Sequence, residues 1–543
     1  MSIARERGAN AWAVLAIFCL GMFMTLLDVT IVNIAIPRLV DDIHASLDQV
    51  LWVLNAYSLV YAVLLITSGR LGDVLGPRNL FIVGVAVFTI GSAASGFAHD
   101  PTQLILARAL QGLGAAIMAP QGIPMIVRLF PPGRSGGAFA VIGALSGLAV
   151  LAGPTLGGFI VDHWGWRWIF YLNVPIGALT LALALIAVPD IRTGVRHRLD
   201  VPGVLLATAG LLCVVFGLIE GQHYGWGTIR GPISIPLVIG AGVALLLVFL
   251  GYQARIQRGE PLLPFRVFRD RTFSLMALVL LGMGFAMLGL FLPLTIYYQS
   301  VLGMSPLDAG LTIAPQPLAM MVTSSLCAGL VAKIGGKYPL IGGLLLFAAG
   351  TAYIVWAAHV DAGRWTFLPG LIASGVGLGF TWMPIFSLAT RDLRPELAGV
   401  ASGVINTIQE LGSVLASAAI GALLQNRLQV AMHDRAVHDA ASLPAQVRGP
   451  FVAGFDQAAK RGLEIGAGQT GASLPLPPGI PPGVAAQLRD AAHDVFVHAF
   501  VTAMRPSLIV PVVVIVAAAC LVLLVRHRAP TAEAAPRPVD RAA

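Results

Sequence analysis

WAVLAIFCLGMFMTLLDVTIVNIAI, Trp12 to Ile36, decides the fold. It is an apolar run of roughly 25 residues holding a single charge, Asp28, where about 20 are enough to cross the hydrocarbon core of a bilayer. Runs of this kind recur along most of the chain. They are continuous rather than alternating, so of the two structures that satisfy the backbone in lipid, helices and closed barrels, helices are expected. Arg5 and Arg7 precede the run. A cleaved signal peptide has a shorter apolar core and a small-residue cleavage site, so an uncleaved first span with a cytoplasmic N-terminus is expected.

Composition agrees with the first run. Of 543 residues, 57% are apolar and 11% charged, and the mean hydropathy is +0.83. A soluble domain carries about 25% charged residues, so this chain cannot cover itself with a wetted surface. The net charge of +8 and pI of about 9.6 do not form one basic patch. The basic residues fall in short loops between apolar runs, which argues for topology control and against nucleic-acid binding. Cys19, Cys213, Cys327 and Cys520 each lie inside an apolar run and read as buried small hydrophobes, not a disulfide or zinc framework.

Fourteen spans are expected, at about 12–36, 50–69, 79–98, 103–124, 137–161, 169–188, 203–220, 233–254, 273–298, 306–331, 338–358, 366–388, 398–424 and 505–525. An even number places both termini on one side. The short loops of the opposite side hold Arg38, Arg167, Arg230 and Arg364, and most other basic residues lie on the side of the termini, so both termini are expected in the cytoplasm.

The spans group into a six-helix bundle over 1–188, a two-helix hairpin with basic flanking loops over 189–272, and a second six-helix bundle over 273–525, followed by a tail at 526–543. The second bundle contains a long external loop at about 425–504, whose middle, Ser473 to Gly483, is rich in proline and glycine. It reads as a spacer with short helices. An internal repeat supports the division: GRLGDVLGPR from Gly69 and GLVAKIGGKY from Gly329 share glycine at the first and eighth positions and a charge at the fifth, Asp73 and Lys333. Transporters are often built from such repeated halves.

Within the spans, a few residues are expensive to keep in lipid. Asp28 lies in LDVTIVNIAIP, Leu27 to Pro37, and a carboxylate there marks an ion pathway or an acid that reaches interfacial water. Arg108 lies in LILARALQGLGAA, Leu104 to Ala116, and needs a partner. At about 1.5 Å per residue, Arg108 is roughly 8 Å and Asp28 roughly 12 Å from the outer ends of their spans, so the two are expected to meet. A nearby cation favours the charged carboxylate and burial disfavours it, so movement of the arginine would load or release a proton. A static ion pair joining the two spans is the alternative. In AVLAGPTLGG, Ala149 to Gly158, Pro154 removes a backbone donor and Gly153, Gly157 and Gly158 allow close packing. In WGWRWIFYLNVPIG, Trp164 to Gly177, the tryptophans and Tyr171 suit an interfacial belt. Glu410 sits near the middle of the thirteenth span. Gly112 with Gly114, and Gly375 with Gly377, lack the preceding strand of a dinucleotide loop, and no P-loop motif occurs. His433 with His438, and His493 with His498, have a spacing that puts neither pair on one helical face, against a metal site.

In their order, these motifs resemble the 14-helix drug:proton antiporters (the EmrB/QacA type) of the major facilitator superfamily, over nearly the whole chain apart from the long loop and the tail. The resemblance implies an all-α membrane protein with the major facilitator fold in a bacterial inner membrane. It implies proton-coupled efflux of small amphipathic or lipophilic compounds, with no cofactor beyond the proton gradient. It assigns Arg108 to proton coupling and, as in some relatives, Glu410 to recognising cationic drugs; as buried carboxylates, Asp28 and Glu410 are also expected to carry protons. It makes Gly69, Asp73, Gly76 and Arg78 a latch between the halves, with Val74 where the family usually has a basic residue. It makes Gly153, Pro154, Gly157 and Gly158 the antiporter motif, with Ala149 replacing its usual first glycine. The expected partners are protons, a small-molecule substrate and the lipid bilayer; no motif indicates a periplasmic adaptor. A dedicated exporter of one metabolite, such as an antibiotic or siderophore, is the nearest alternative. A membrane-bound lipid-modifying enzyme is disfavoured, because no cluster of polar catalytic residues appears at an interface.

Overall fold

The computed structural model describes residues 10–43, 47–130, 135–190, 200–221, 224–257, 261–391, 397–441, 448–455 and 482–526. The first bundle is built from α1 (Ala11–Ile43), α2 (Leu47–Leu75), α3 (Pro77–Gly96), α4 (Pro101–Met118), α5 (Gly122–Leu129), α6 (Ser135–Trp164), α7 (Arg167–Tyr171) and α8 (Asn173–Ala187). Here α4 and α5 make one path through a 3-10 turn at Ala119–Gln121. The hairpin is α9 (Val201–Glu220) and α10 (Ile235–Arg255), joined through two short strands, β1 (Thr228–Arg230) and β2 (Ile233–Ser234), which depart from the all-α expectation. The second bundle comprises α11 (Arg271–Ile296), α12 (Pro306–Ile313), α13 (Pro315–Ile334), α14 (Lys337–Ala357), α15 (Leu368–Gly379), α16 (Trp382–Thr390), α17 (Ala398–Ala440) and α18 (Pro482–Leu523). Among the described residues, 12 spans are long and apolar enough to cross a membrane. α2 and α6 are further long helices, of 29 and 30 residues.

Prolines divide some spans. The tenth expected span breaks at Ala314, because Pro315 and Pro317 carry no N–H for the ladder, leaving α12 and α13.

The bundles meet where α2 packs on α17 and α6 packs on α13. The hairpin does not merely separate them. α9 lies against both α2 and α17, with Leu211 and Val215 buried in one cluster with Leu59, Val63 and Val414. Its base is fixed by the buried Asp200, which accepts from Gln253 Nε2 at 2.5 Å, Tyr252 OH at 3.1 Å and Leu262 N at 3.4 Å. At the end of the molecule where α1 begins, Leu15, Cys19, Ile126, Phe130 and Ala138 share a buried cluster with Cys327 and Met383 of the other bundle.

The internal repeat is real but offset by one residue from the reading above. Gly76 (φ 90°) ends α2 in a left-handed conformation that favours glycine, and the residue doing the same after α13 is Gly335 (φ 80°), not Gly336. At that register Arg78 matches Lys337, Gly84 matches Gly343 and Gly91 matches Gly350. The contacts agree. Arg78 Nη2 donates to Leu185 O at 2.8 Å, near the end of α8, and Lys337 Nζ donates to Leu523 O at 2.8 Å and Val525 O at 2.7 Å, at the end of α18. In the reverse direction, Arg167 donates to Ala98 O just after α3, and Arg505 to Ala358 O just after α14. Each bundle thus ties its third and sixth spans together at both ends, with cations on helix carbonyls that lack intrahelical partners.

The glycine pairs inside the fourth span of each bundle also correspond. A Cβ on Gly112 would meet the backbone of Tyr57 in α2, and one on Gly114 the backbone of Phe88 in α3. Gly375 faces the backbone of Gln316 in α13, and Gly377 that of Phe347 in α14. These glycines are helix crossings.

The long loop is the largest correction. α17 continues through Ala440 and α18 begins at Pro482, so both ends of the expected loop are helix. At about 1.5 Å per residue, helices of 43 and 42 residues are roughly twice as long as a bilayer core is thick. Leu428, Met432, Ala436 and Ala440 recur every fourth residue and are buried in one cluster with Phe451, Phe455, Leu488, Ala492 and Phe496. Most of the proline-rich middle lies outside the described residues; Pro482 and Gly483 start α18.

Candidate functional site

The charged centre lies inside the first bundle. Asp28 on α1 and Arg108 on α4 form a salt bridge with 0% and 1% of each residue exposed. Three side-chain donors converge on the carboxylate: Arg108 Nη1 on Oδ2, Gln111 Nε2 on Oδ1 at 2.8 Å and Asn173 Nδ2 on Oδ1 at 3.3 Å. Gln111 lies three residues after Arg108, on the same face of α4, and also accepts from Arg108 Nη1 at 2.8 Å.

Arg108 has partners besides the carboxylate. Its Nε donates to Val53 O at 3.2 Å, and its guanidinium stands over the Tyr57 ring at 4.5 Å and near the Phe170 ring at 5.9 Å. The Val53 bond and the glycine crossing at Gly112 pin α2 to α4. Tyr57 in turn stacks on Tyr61, one turn along α2, with ring centroids 6.0 Å apart and planes 13° from parallel. Glu410 lies on α17, the helix of the other bundle that packs on α2. The structure therefore brings Asp28 and Arg108 into contact, and places Glu410 on a helix of the other bundle.

The glycine-rich motif of α6 determines how close α6 comes to α1. A Cβ on Gly153 would collide with the Thr30 side chain, and one on Gly157 with that of Ile31, both just past Asp28. Gly158 is buried, and the Pro154 side chain lies outside the described residues. The segment expected to be a latch loop is mostly helix: α2 runs through Gly69 to Leu75. Gly72 leaves room for Gln121, whose Nε2 donates to Ser68 O at 3.1 Å. Arg78 grips its own bundle, and the Asp73 side chain lies outside the described residues.

Sequence reasoning missed Gln111 and Asn173. The signal for Gln111 was its spacing from Arg108. Asn173 had been absorbed into an aromatic anchoring segment, which the structure divides. Trp164 and Trp168 are exposed, whereas Trp166 is buried and donates to Asp42 Oδ2 at 3.0 Å. Of the four cysteines read as buried, Cys19 and Cys327 are, whereas Cys213 is half-buried and Cys520 exposed.

Long apolar helices in two packed groups, with a buried, hydrogen-bonded ion pair inside the first, mark an integral-membrane protein. The chain belongs to the Major Facilitator Superfamily, whose family model matches residues 18–417. It is 34% identical over 419 residues to the tetracenomycin C resistance and export protein of Streptomyces glaucescens, covering 77% of this chain and 76% of that one. It is 34% identical over 424 residues to the multidrug resistance protein Stp of Mycobacterium tuberculosis (strain CDC 1551 / Oshkosh), covering 77% and 78%. Among solved structures, the human organic anion transporter MFSD10 aligns with a TM-score of 0.55 over 93% of this chain and 99% of that one. At 13% identity it supports the fold alone.

Proposed function

We propose that this protein exports small amphipathic or lipophilic compounds, cationic ones among them, in exchange for protons, by alternating access between the two bundles. The observation that carries the reading is Asp28: a fully buried carboxylate in a membrane-spanning helix, held against a cation that has other partners ready. With the carboxylate charged, Arg108 is locked between α1 and α4. When an external proton neutralises Asp28, the guanidinium keeps Val53 O, Gln111 Oε1 and the Tyr57 face, and its tie to α1 is released. Loss of the proton to the cytoplasm restores the lock.

α2 and α6 complete a count of fourteen spans, and both termini face the cytoplasm of a bacterial inner membrane. In that orientation the cluster of Leu15, Phe130, Cys327 and Met383 closes the cytoplasmic side between the bundles. Glu410 attracts a cationic substrate near the seam. The proton gradient supplies the energy, and no cofactor takes part. The names of the relatives, an antibiotic export protein and a multidrug resistance protein, support export as the direction. The tetracenomycin C relative also favours a second reading, a dedicated exporter of one antibiotic-like metabolite.

The test uses energised inverted vesicles holding a pH-sensitive dye, to which lipophilic cations such as ethidium are added. Proton release from the lumen, absent in Asp28→Asn, supports antiport through Asp28. Release that persists in Asp28→Asn overturns the role of Asp28. Absence of release with any candidate, while a known exporter responds, removes the multidrug reading and leaves the dedicated exporter.

A further inference from the structure

Asn173, the first residue of α8, carries a buried polar atom without a partner. The residue is 1% exposed, and its Oδ1 accepts no hydrogen bond from the described residues. The orientation of the amide follows from its neighbours. Ser92 commits its hydroxyl hydrogen to Phe170 O at 2.9 Å, so the Ser92 oxygen can only accept. The amide edge facing it, at 3.1 Å, is therefore the NH2, and the same NH2 reaches Asp28 Oδ1 at 3.3 Å. The carbonyl oxygen is left over, on a side chain already touching the carboxylate.

An unsatisfied buried acceptor is costly, and a carboxylate cannot relieve it because a carboxylate only accepts. A carboxylic acid can. We propose that Asn173 is the positioning residue for the protonated form of Asp28: its Oδ1 accepts the hydrogen bond that the Asp28 acid donates. The proposal rests on the reading of Asp28 as the proton carrier. The proton comes from external water, resides on a carboxyl oxygen of Asp28 while donated to Asn173 Oδ1, and leaves to water on the other side. The amide keeps its NH2 on Ser92; the neutral carboxyl, no longer paired with Arg108, shifts along the amide edge to Oδ1, and the amide neither gains nor loses a proton. In the charged state Asn173 contributes only a long donor, on an NH2 that also serves Ser92, which is weak beside the other two donors on Asp28, Arg108 and Gln111. Its larger contribution falls on the protonated state.

The other groups facing the pair allow this assignment. α4 contributes Arg108 and Gln111, α2 the Tyr57 ring and α3 Ser92, while Glu410 lies on α17, which packs on α2. Of these, Arg108 has only donors, the Ser92 hydroxyl is committed to Phe170, and Gln111 Oε1 is taken by Arg108.

The experiment is infrared difference spectroscopy on the full-length protein in lipid nanodiscs, titrated with acid. The Asp28 acid band is the protonated-carboxyl stretch that is absent from Asp28→Asn. In Asn173→Leu that band should move to higher frequency, as an acid that donates no hydrogen bond does, and its midpoint should fall by about one pH unit. An unchanged band and midpoint overturn the assignment and leave proton carriage by Asp28 intact. Should Asn173→Leu not fold, the wild type supplies the check. The side-chain amide carbonyl stretch should drop in step with the Asp28 band, and a static amide band overturns the proposal. If no Asp28 band develops in the wild type, both the proposal and the proton-carrier reading fail.

Discussion

The Arg108 guanidinium stands 4.5 Å over the ring centroid of Tyr57, so the cation is held from one side by a carboxylate and from another by an aromatic face. The two partners differ in kind. A carboxylate can be switched off by a proton, whereas the ring cannot. That asymmetry gives Arg108 somewhere to remain when Asp28 is neutral.

Removing the ring face should make Asp28 harder to neutralise. A desolvated cation–π contact is worth about 2 kcal/mol, and 1.36 kcal/mol corresponds to one pH unit. The contact is present with Asp28 charged, so only its strengthening on neutralisation counts: in Tyr57→Leu the half-maximal pH of transport should move acid by at most about one unit, while Tyr57→Phe keeps the wild-type profile. Stepwise fluorination of a phenylalanine at this position should move the profile in proportion. A flat response across that series would show that the ring acts by shape alone.

The two members of the pair should not be equivalent for stability. Arg108→Leu leaves a buried carboxylate with only amide donors, and breaking a buried pair costs about 3–5 kcal/mol. Asp28→Asn leaves Arg108 with Val53 O, Gln111 Oε1 and the Tyr57 ring, so its loss should be smaller. Thermal unfolding in detergent should rank wild type above Asp28→Asn above Arg108→Leu. Adding Asp28→Asn to Arg108→Leu should recover part of the loss. A double variant less stable than both singles would contradict the ion-pair account.

Gly114 and Gly329 provide a matched contrast. A Cβ at Gly114 would lie within the backbone of Phe88, where no side chain can yield, whereas at Gly329 nothing lies within 4 Å. Gly114→Val should abolish the folded, monodisperse protein seen by size-exclusion chromatography. Gly329→Ala should elute as the wild type, and its helix should gain up to about 1 kcal/mol from the better propensity of alanine.

Glu410→Gln should separate substrates by charge. Two charges a few ångströms apart at the interior dielectric appropriate to proteins interact by a few kcal/mol, of which partial screening leaves about one. The KM for a monovalent lipophilic cation should rise about fivefold to tenfold, with that for a neutral analogue unchanged. Equal changes for both would assign Glu410 to coupling rather than recognition.

Much of the architecture was legible because lipid leaves a chain few choices. The run from Trp12 to Ile36 had to be helix, and the charges Asp28 and Arg108 had to find each other, since neither is tolerable alone in hydrocarbon. Depth along two helices needs only the rise per residue, so their meeting could be worked out from the chain. The repeat was visible in its glycines, but its register was not. Which of Gly335 and Gly336 takes the left-handed conformation depends on where α13 ends, and the helix stops at Ile334. The helices hidden in the expected loop were misread because Asp434, Arg435 and Asp439 mask the buried series of Leu428, Met432, Ala436 and Ala440.

The sequence by itself determined a helical membrane protein with a repeated glycine motif and with an acid and an arginine at one depth, because hydrophobicity and the cost of isolated charge act locally. Only the tertiary structure decided that Gln111, Asn173 and Tyr57 surround that pair, that the helix carrying Glu410 packs on α2, and that Arg78 ties α3 to α8. Those relationships depend on how helices rotate and cross. The crossings at Gly112, Gly114 and Gly153 fix that geometry, since a backbone can approach another helix closely only where no side chain intervenes.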